Sequence, residues 1–228
     1  MNSLKKTARI TGVLYLLLIV FAPFSMLYVT STLVVPGDAA ATAANIIASE
    51  GLFRLSIVSD SIVFLIEIVL VVMLYVLLKQ VNKTVSLVAA FSRLGMTIVQ
   101  GVNLLNHFVV LLLLSGAGFL AAFDPAQINA LSLLFLQVHE AVAYIWGLFF
   151  ALHLVFLGYL VYKSGYIPAW LGGVLMFASL CYFIQGFGNI LLPGAAEIFE
   201  VIGFVSIIEL AFPLYLVIKG VKNGQNRS

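Results

Sequence analysis

The stretch FRLSIVSDSIVFLIEIVLVVMLYVLL, residues 53–78, decides the fold. A helix needs about 20 mainly apolar residues to cross roughly 30 Å of hydrocarbon, and this run supplies them. It also carries Asp60 and Glu67, seven residues apart and so on one helical face. Working outward, five more runs of the same kind stand between polar breaks, at about residues 9–33, 86–115, 131–162, 169–192 and 198–218. The breaks have turn chemistry: Pro36-Gly37-Asp38, Gln80 to Lys83, Gly116 with Asp124-Pro125, Ser164 to Pro168, and Pro193-Gly194.

Composition says the same. The chain of 228 residues is 63% hydrophobic and 9% charged, with a mean hydropathy of +1.18. Soluble domains average about 45–50% apolar and about 25% charged, so water is excluded as the solvent, as are disorder and collagen-like repeats. The single cysteine, Cys181, rules out an internal disulfide framework. The expected fold class is therefore all-α: a polytopic membrane protein, a bundle of six transmembrane helices forming one domain over residues 1–228. A monomer or weak oligomer is expected.

The first run follows a basic leader of Lys5, Lys6 and Arg9, and Ala41-Thr42-Ala43 has the form of a cleavage site. Uncharged sequence from Ile10 to Gly37 is too long for a signal's apolar region of about 7–15 residues, so a retained span is expected. Residues 38–51, rich in alanine, suit a short helix on the outer surface. Lys5, Lys6, Arg9, Lys79, Lys83, Lys163, Lys219, Lys222 and Arg227 gather on one side of this topology. Asp38, Glu50, Asp124, Glu197 and Glu200 gather on the other, with Arg54 as the one basic residue near them. The positive-inside rule makes both termini cytoplasmic. The asymmetry reads as topology and anionic-lipid contact rather than nucleic-acid binding.

Several stretches resemble a bacterial and archaeal membrane family, domain of unknown function 4386. They are Ala8-Arg9-Ile10-Thr11-Gly12-Val13-Leu14-Tyr15, Val35-Pro36-Gly37-Asp38 with the alanines after it, Leu74-Tyr75-Val76-Leu77-Leu78-Lys79, and Gly158-Tyr159-Leu160-Val161-Tyr162-Lys163-Ser164-Gly165-Tyr166. The likeness covers nearly the whole chain. It implies a six-span protein of a prokaryotic cytoplasmic (inner) membrane and brings no catalytic residue, substrate or cofactor with it.

Function must come from the side chains. Ionisable groups at membrane depth cost roughly 2.5–3.5 kcal/mol on insertion scales, so each needs a partner or a wet cavity. Asp60, His107, His139, Glu140 and Gln185 all fall about 10–14 Å below the outer boundary, on four spans. Arg93, Gln100, Asn103 and His107 form a stripe on the third span, and Tyr182, Gln185 and Asn189 form one on the fifth. The expected binding layer is Asp60, Asn103, His107, His139, Glu140, Gln185 and Asn189. A second, inner charged layer holds Glu67, Arg93, His153 and Glu209, where Arg93 can neutralise Glu67 or Glu209 or reach the inner surface.

Three functions compete. A small-molecule or proton-coupled carrier would use these groups as titratable steps. A binding module would hold a lipid or small amphiphile among the 18 Phe and 9 Tyr. An intramembrane metal-dependent hydrolase would hold zinc on His107, His139 and Asp60 or Glu140, with the remaining carboxylate as general base and a lipid-like amide or ester as substrate. His153 lies about 21 Å along the helix from His139 and cannot join that set. No HExxH or CxxC motif occurs, so carriage or amphiphile binding ranks above the enzyme at this level. Pro213, with Gly203 and Ser206, marks an expected bend in the sixth span.

Overall fold

Helix ends fall where short polar side chains satisfy free backbone N–H groups. Asp38 accepts a bond from the amide of Ala41 at 2.8 Å, Asn82 from Val85 at 3.0 Å, and Asp124 from Ala126 at 2.9 Å, with Pro125 as the first helical residue. At the far end of the longest helix, Gly165 takes the left-handed conformation with φ of 71°, which stops the helix after Ser164.

The computed structural model describes residues 3–222. Among these the elements are α1 (Ser3–Leu33), α2 (Ala39–Ala48), α3 (Glu50–Leu78), α4 (Lys83–Leu113), α5 (Pro125–Ser164), α6 (Ala169–Leu191) and α7 (Ala196–Ile218), with no strand. All but α2 are long and apolar enough to cross a membrane, so the chain is an all-α, multi-pass membrane protein. The expected spans match these helices closely at their C-terminal ends. Several helices start earlier than expected, because residues such as Lys5, Glu50 and Lys83 continue the coil beyond the apolar run. The short helix foreseen after Asp38 is α2. Large apolar side chains stand outward on every span: Val20 is 64% exposed and Phe204 73%, a costly surface in water and an ordinary one in lipid.

The chain forms two compact units. One comprises Met1–Leu18, Ile66–Ile98 and Tyr144–Ser228. Its core includes Leu70, Leu74, Met96, Leu154, Leu175 and Phe212. Here α5 and α6 meet at glycines: a Cβ on Gly172 would lie 2.5 Å from the carbonyl oxygen of Gly158, and one on Gly158 2.7 Å from that of Gly172. Helix α7 changes to a 3₁₀ turn over Ser206–Leu210. Pro213 cannot donate the backbone bond that the carbonyl of Glu209 would otherwise accept, which accounts for irregular winding where a bend was expected.

The other unit comprises Ile19–Leu65 and Val99–Ala143, around Val29, Leu33, Ile46, Phe53, Leu104 and Leu136. Helix α2 is tied to the end of α1 through Thr42, whose hydroxyl accepts from Val35 N at 2.9 Å, and through Asn45, which donates to Leu33 O at 3.3 Å. The helices of this unit wind irregularly at two points. Helix α1 widens to a π-helical turn over Phe24–Val29, just after Pro23, and α4 is interrupted at Leu104.

Candidate functional site

The interruption of α4 follows from its hydrogen bonds. The amide of His107 bonds to Leu104 O at 3.1 Å instead of reaching back a full turn. The carbonyl of Asn103 is thereby left to side chains: Asn106 Nδ2 donates to it at 2.9 Å, and His139 Nδ1 lies 3.3 Å from it. A carbonyl only accepts, so Nδ1 of His139 carries the proton and Nε2 has the lone pair. Asn103 returns the contact, its Nδ2 donating to the carbonyl of His139 at 2.9 Å. A two-way clasp thus fixes the His139 ring.

One turn along α4, the His107 ring stacks on that of His139 at 4.0 Å between centroids and packs against Phe53 at 5.2 Å. His107 is buried, and its Nδ1 has no hydrogen-bond partner. From α3, buried Asp60 completes the group: ligand-capable atoms of Asp60, His107 and His139 all lie within 4.8 Å of one another. Oδ2 of Asp60 accepts from Ser25 Oγ at 2.9 Å. A cavity of ≈ 30 Å³ opens beside them, lined by Ser25, Ser56, Thr30, His107, His139 and Glu140 together with apolar side chains. That is room for about two waters.

Five residues of the expected layer, Asp60, Asn103, His107, His139 and Glu140, therefore belong to one unit, and each meets another of the five directly or lines the cavity. Gln185 and Asn189 belong to the other unit, where Gln185 Nε2 donates to Glu200 at 3.1 Å and Asn189 Nδ2 to the carbonyl of Gln185 at 3.0 Å. Sequence reasoning missed Ser25. The available clue was Pro23: a proline late in an apolar run disturbs the backbone ladder, and a hydroxyl two residues on is well placed to exploit it.

The expected inner layer is a second cluster, within the first unit. Arg93 is 0% exposed, so it does not reach toward the membrane surface. It grips Glu67 with both ends of its fork, Nε to Oε2 at 2.6 Å and Nη2 to Oε1 at 3.0 Å. Nη1 donates to Tyr15 OH at 2.6 Å and to Nε2 of His153 at 3.1 Å. His153 accepts there because its Nδ1 proton goes to Ala89 O at 2.8 Å, which makes the ring neutral. Glu209 takes a bond from Tyr182 OH at 3.2 Å on one oxygen, while its other oxygen is buried without a hydrogen-bond partner. Of the alternatives left open for Arg93, the structure chooses Glu67. Tyr15, in the middle of an apolar run, gave no hint of its part.

Fold and polar interior together define a multi-pass integral membrane protein with two buried polar centres. The chain belongs to the family Domain of unknown function (DUF4386), whose pattern it matches over residues 10–220. It is 28% identical over 172 residues to an "Uncharacterized protein" of the archaeon Archaeoglobus fulgidus, covering 73% of this chain and 85% of that one. No solved structure matches it.

Proposed function

We propose that this protein is an intramembrane metal-dependent hydrolase, with the metal held by Asp60, His107 and His139 and a lipid-like amide or ester as substrate. One observation carries the reading: three helices bring two imidazoles and a carboxylate within 4.8 Å of one another beside a cavity, and a buried nitrogen of His107 has nothing to bond to. An unpartnered polar atom in hydrocarbon is costly, and a cation removes the cost.

The donor set fits zinc. Two histidines and one carboxylate plus an open position make a common catalytic zinc site. Asp60, His107 and His139 would hold the ion, their ligand atoms lying within 4.8 Å of one another. When bound, the metal polarises a carbonyl and brings the pKa of a water on it down to about 7. Glu140, at the same cavity and next to His139 in sequence, would serve as general base toward the attacking water and as general acid toward the leaving nitrogen or oxygen of the cleaved acyl bond. The apolar wall of Val29, Leu33, Phe53 and Leu136 suits an acyl chain.

Carriage and amphiphile binding rank lower. The cavity of ≈ 30 Å³ holds a metal and a water but takes in neither an amphiphile nor a substrate's acyl chain without rearrangement, so the converging ligand set, not the cavity, ranks the hydrolase first. The basic residues at Lys5, Lys6, Arg9, Lys79, Lys83, Lys163 and Lys219 support a cytoplasmic (inner) membrane of a prokaryote, with both termini inside.

Metal analysis of gently purified protein tests the reading. About one zinc per chain is expected, lost in Asp60→Asn and in His107→Ala, with chelation lowering the melting temperature of the wild type. The same preparation is expected to cleave a fluorogenic lipid amide or ester, and Glu140→Gln to abolish cleavage while retaining zinc. No stoichiometric metal, with stability indifferent to chelator, overturns the proposal; stoichiometric iron in place of zinc overturns the hydrolytic assignment.

A further inference from the structure

We propose that Ser25 and the backbone carbonyl of Asn103 are the positioning groups of this centre, and that they decide which atoms face the ion: the second oxygen of Asp60, Nε2 of His139 and Nδ1 of His107. The inference rests on the metal-site reading above and extends it from a set of residues to a set of atoms.

Bare ligands make a poor metal site. Ligating histidines almost always give their other N–H to a carbonyl or carboxylate, and ligating carboxylates are themselves hydrogen-bonded; these supports orient the ligands and select the tautomer. Both kinds of support are present. His139 gives its Nδ1 proton to Asn103 O, a carbonyl exposed by the interruption of α4, and this turns Nε2 away from the clasp. Asp60 has one oxygen committed to the hydroxyl of Ser25 at 2.9 Å. The only ring nitrogen of the pair that is buried without a partner is Nδ1 of His107.

The backbone of α1 supports the same conclusion. Ser25 sits in the π-helical turn Phe24–Val29, a winding that is rare in helices and frequent at functional sites. That turn is held at its entry as well, because Ser59, the neighbour of Asp60, donates to Phe21 O at 2.8 Å. Consecutive residues of α3 thus grip the turn twice, once through backbone and once through Ser25. A buried Ser–Asp pair alone would serve packing. Here the pair stands beside two stacked imidazoles, one clamped in a single tautomer and the other with a vacant nitrogen.

The test uses the full-length chain in mild detergent with zinc and cobalt(II) as probes. Ser25→Ala is expected to weaken zinc binding by about 10–100-fold and to shift the visible spectrum of the cobalt form. Ser25→Thr, which keeps the hydroxyl, is expected to restore both. A role in packing alone would lower the stability of the metal-free protein without moving the cobalt spectrum. In ¹⁵N-histidine spectra of the wild type, His139 is expected as the Nδ1–H form, with its Nε2 resonance moving on zinc addition. The inference is overturned if Ser25→Ala binds zinc as tightly as wild type with an unchanged cobalt spectrum. An Nε2–H tautomer of His139 overturns it as well, whatever becomes of the variants. Failure of the functional reading shows separately, as wild-type protein that binds no zinc, and overturns both.

Discussion

At the scale of the residue, the Arg93–Glu67 pair shows how a charge is kept inside a membrane. A wholly buried guanidinium is tolerable only when most of its donors are used, and Glu67, Tyr15 and His153 use them. Removing the countercharge strands the cation, so Glu67→Gln is expected to cost about 3–5 kcal/mol, measured by denaturant unfolding in detergent. Replacing both partners together, Glu67→Leu with Arg93→Met, is expected to fall near wild type, since the desolvation cost disappears with the pair. A double variant as unstable as Glu67→Gln alone would show that the cost lies in packing. Grouping Glu67, Arg93, His153 and Glu209 was legible from their depth along the helices. The choice of Glu67 over Glu209 was not, because it depends on which way each side chain turns about its helix axis.

At the scale of the element, two adjacent glycines differ in what they do. Gly172 and Gly173 read alike in the sequence as a point of close helix approach. In the structure only Gly172 is pressed against α5, its hypothetical Cβ 2.6 Å from the amide nitrogen of Tyr162, while a Cβ on Gly173 meets nothing within 4 Å. Gly172→Ala is therefore expected to destabilise by roughly 1–3 kcal/mol through overpacking against rigid backbone. Gly173→Ala is expected to be neutral or to stabilise by up to about 1 kcal/mol, because alanine is the better helix former. Thermal unfolding of the two variants side by side checks this; equal losses would mean that helix α6 is rotated from the position described. The π turn of α1 and the interruption of α4 belong to this scale too. Neither shows in hydropathy, yet they place Ser25 and free the carbonyl of Asn103.

At the scale of the whole molecule, six spans and a skewed charge distribution predict topology. Cysteines introduced at Ser3 and Lys222, in a Cys181→Ala background, are expected to react with a membrane-impermeant thiol reagent only from the cytoplasmic side of oriented vesicles. Cysteines at Asp38 and Asp124 are expected to react only from the opposite side. The reverse pattern would break the link between basic loops and orientation in this protein.

Hydropathy sums over neighbours along the chain, and helix-forming backbone satisfies itself locally, so the amino-acid order alone determined six apolar helices and, closely, where they end on the C-terminal side. It also named His107 and His139, with Asp60 or Glu140, as metal candidates. Tertiary packing decided the rest: that Asp60, His107 and His139 converge while Gln185 and Asn189 turn to Glu200, that Arg93 pairs with Glu67, and that Ser25 bonds to Asp60. Those outcomes depend on helix rotation and on two breaks in the regular winding. Both are settled by contacts between segments far apart in sequence.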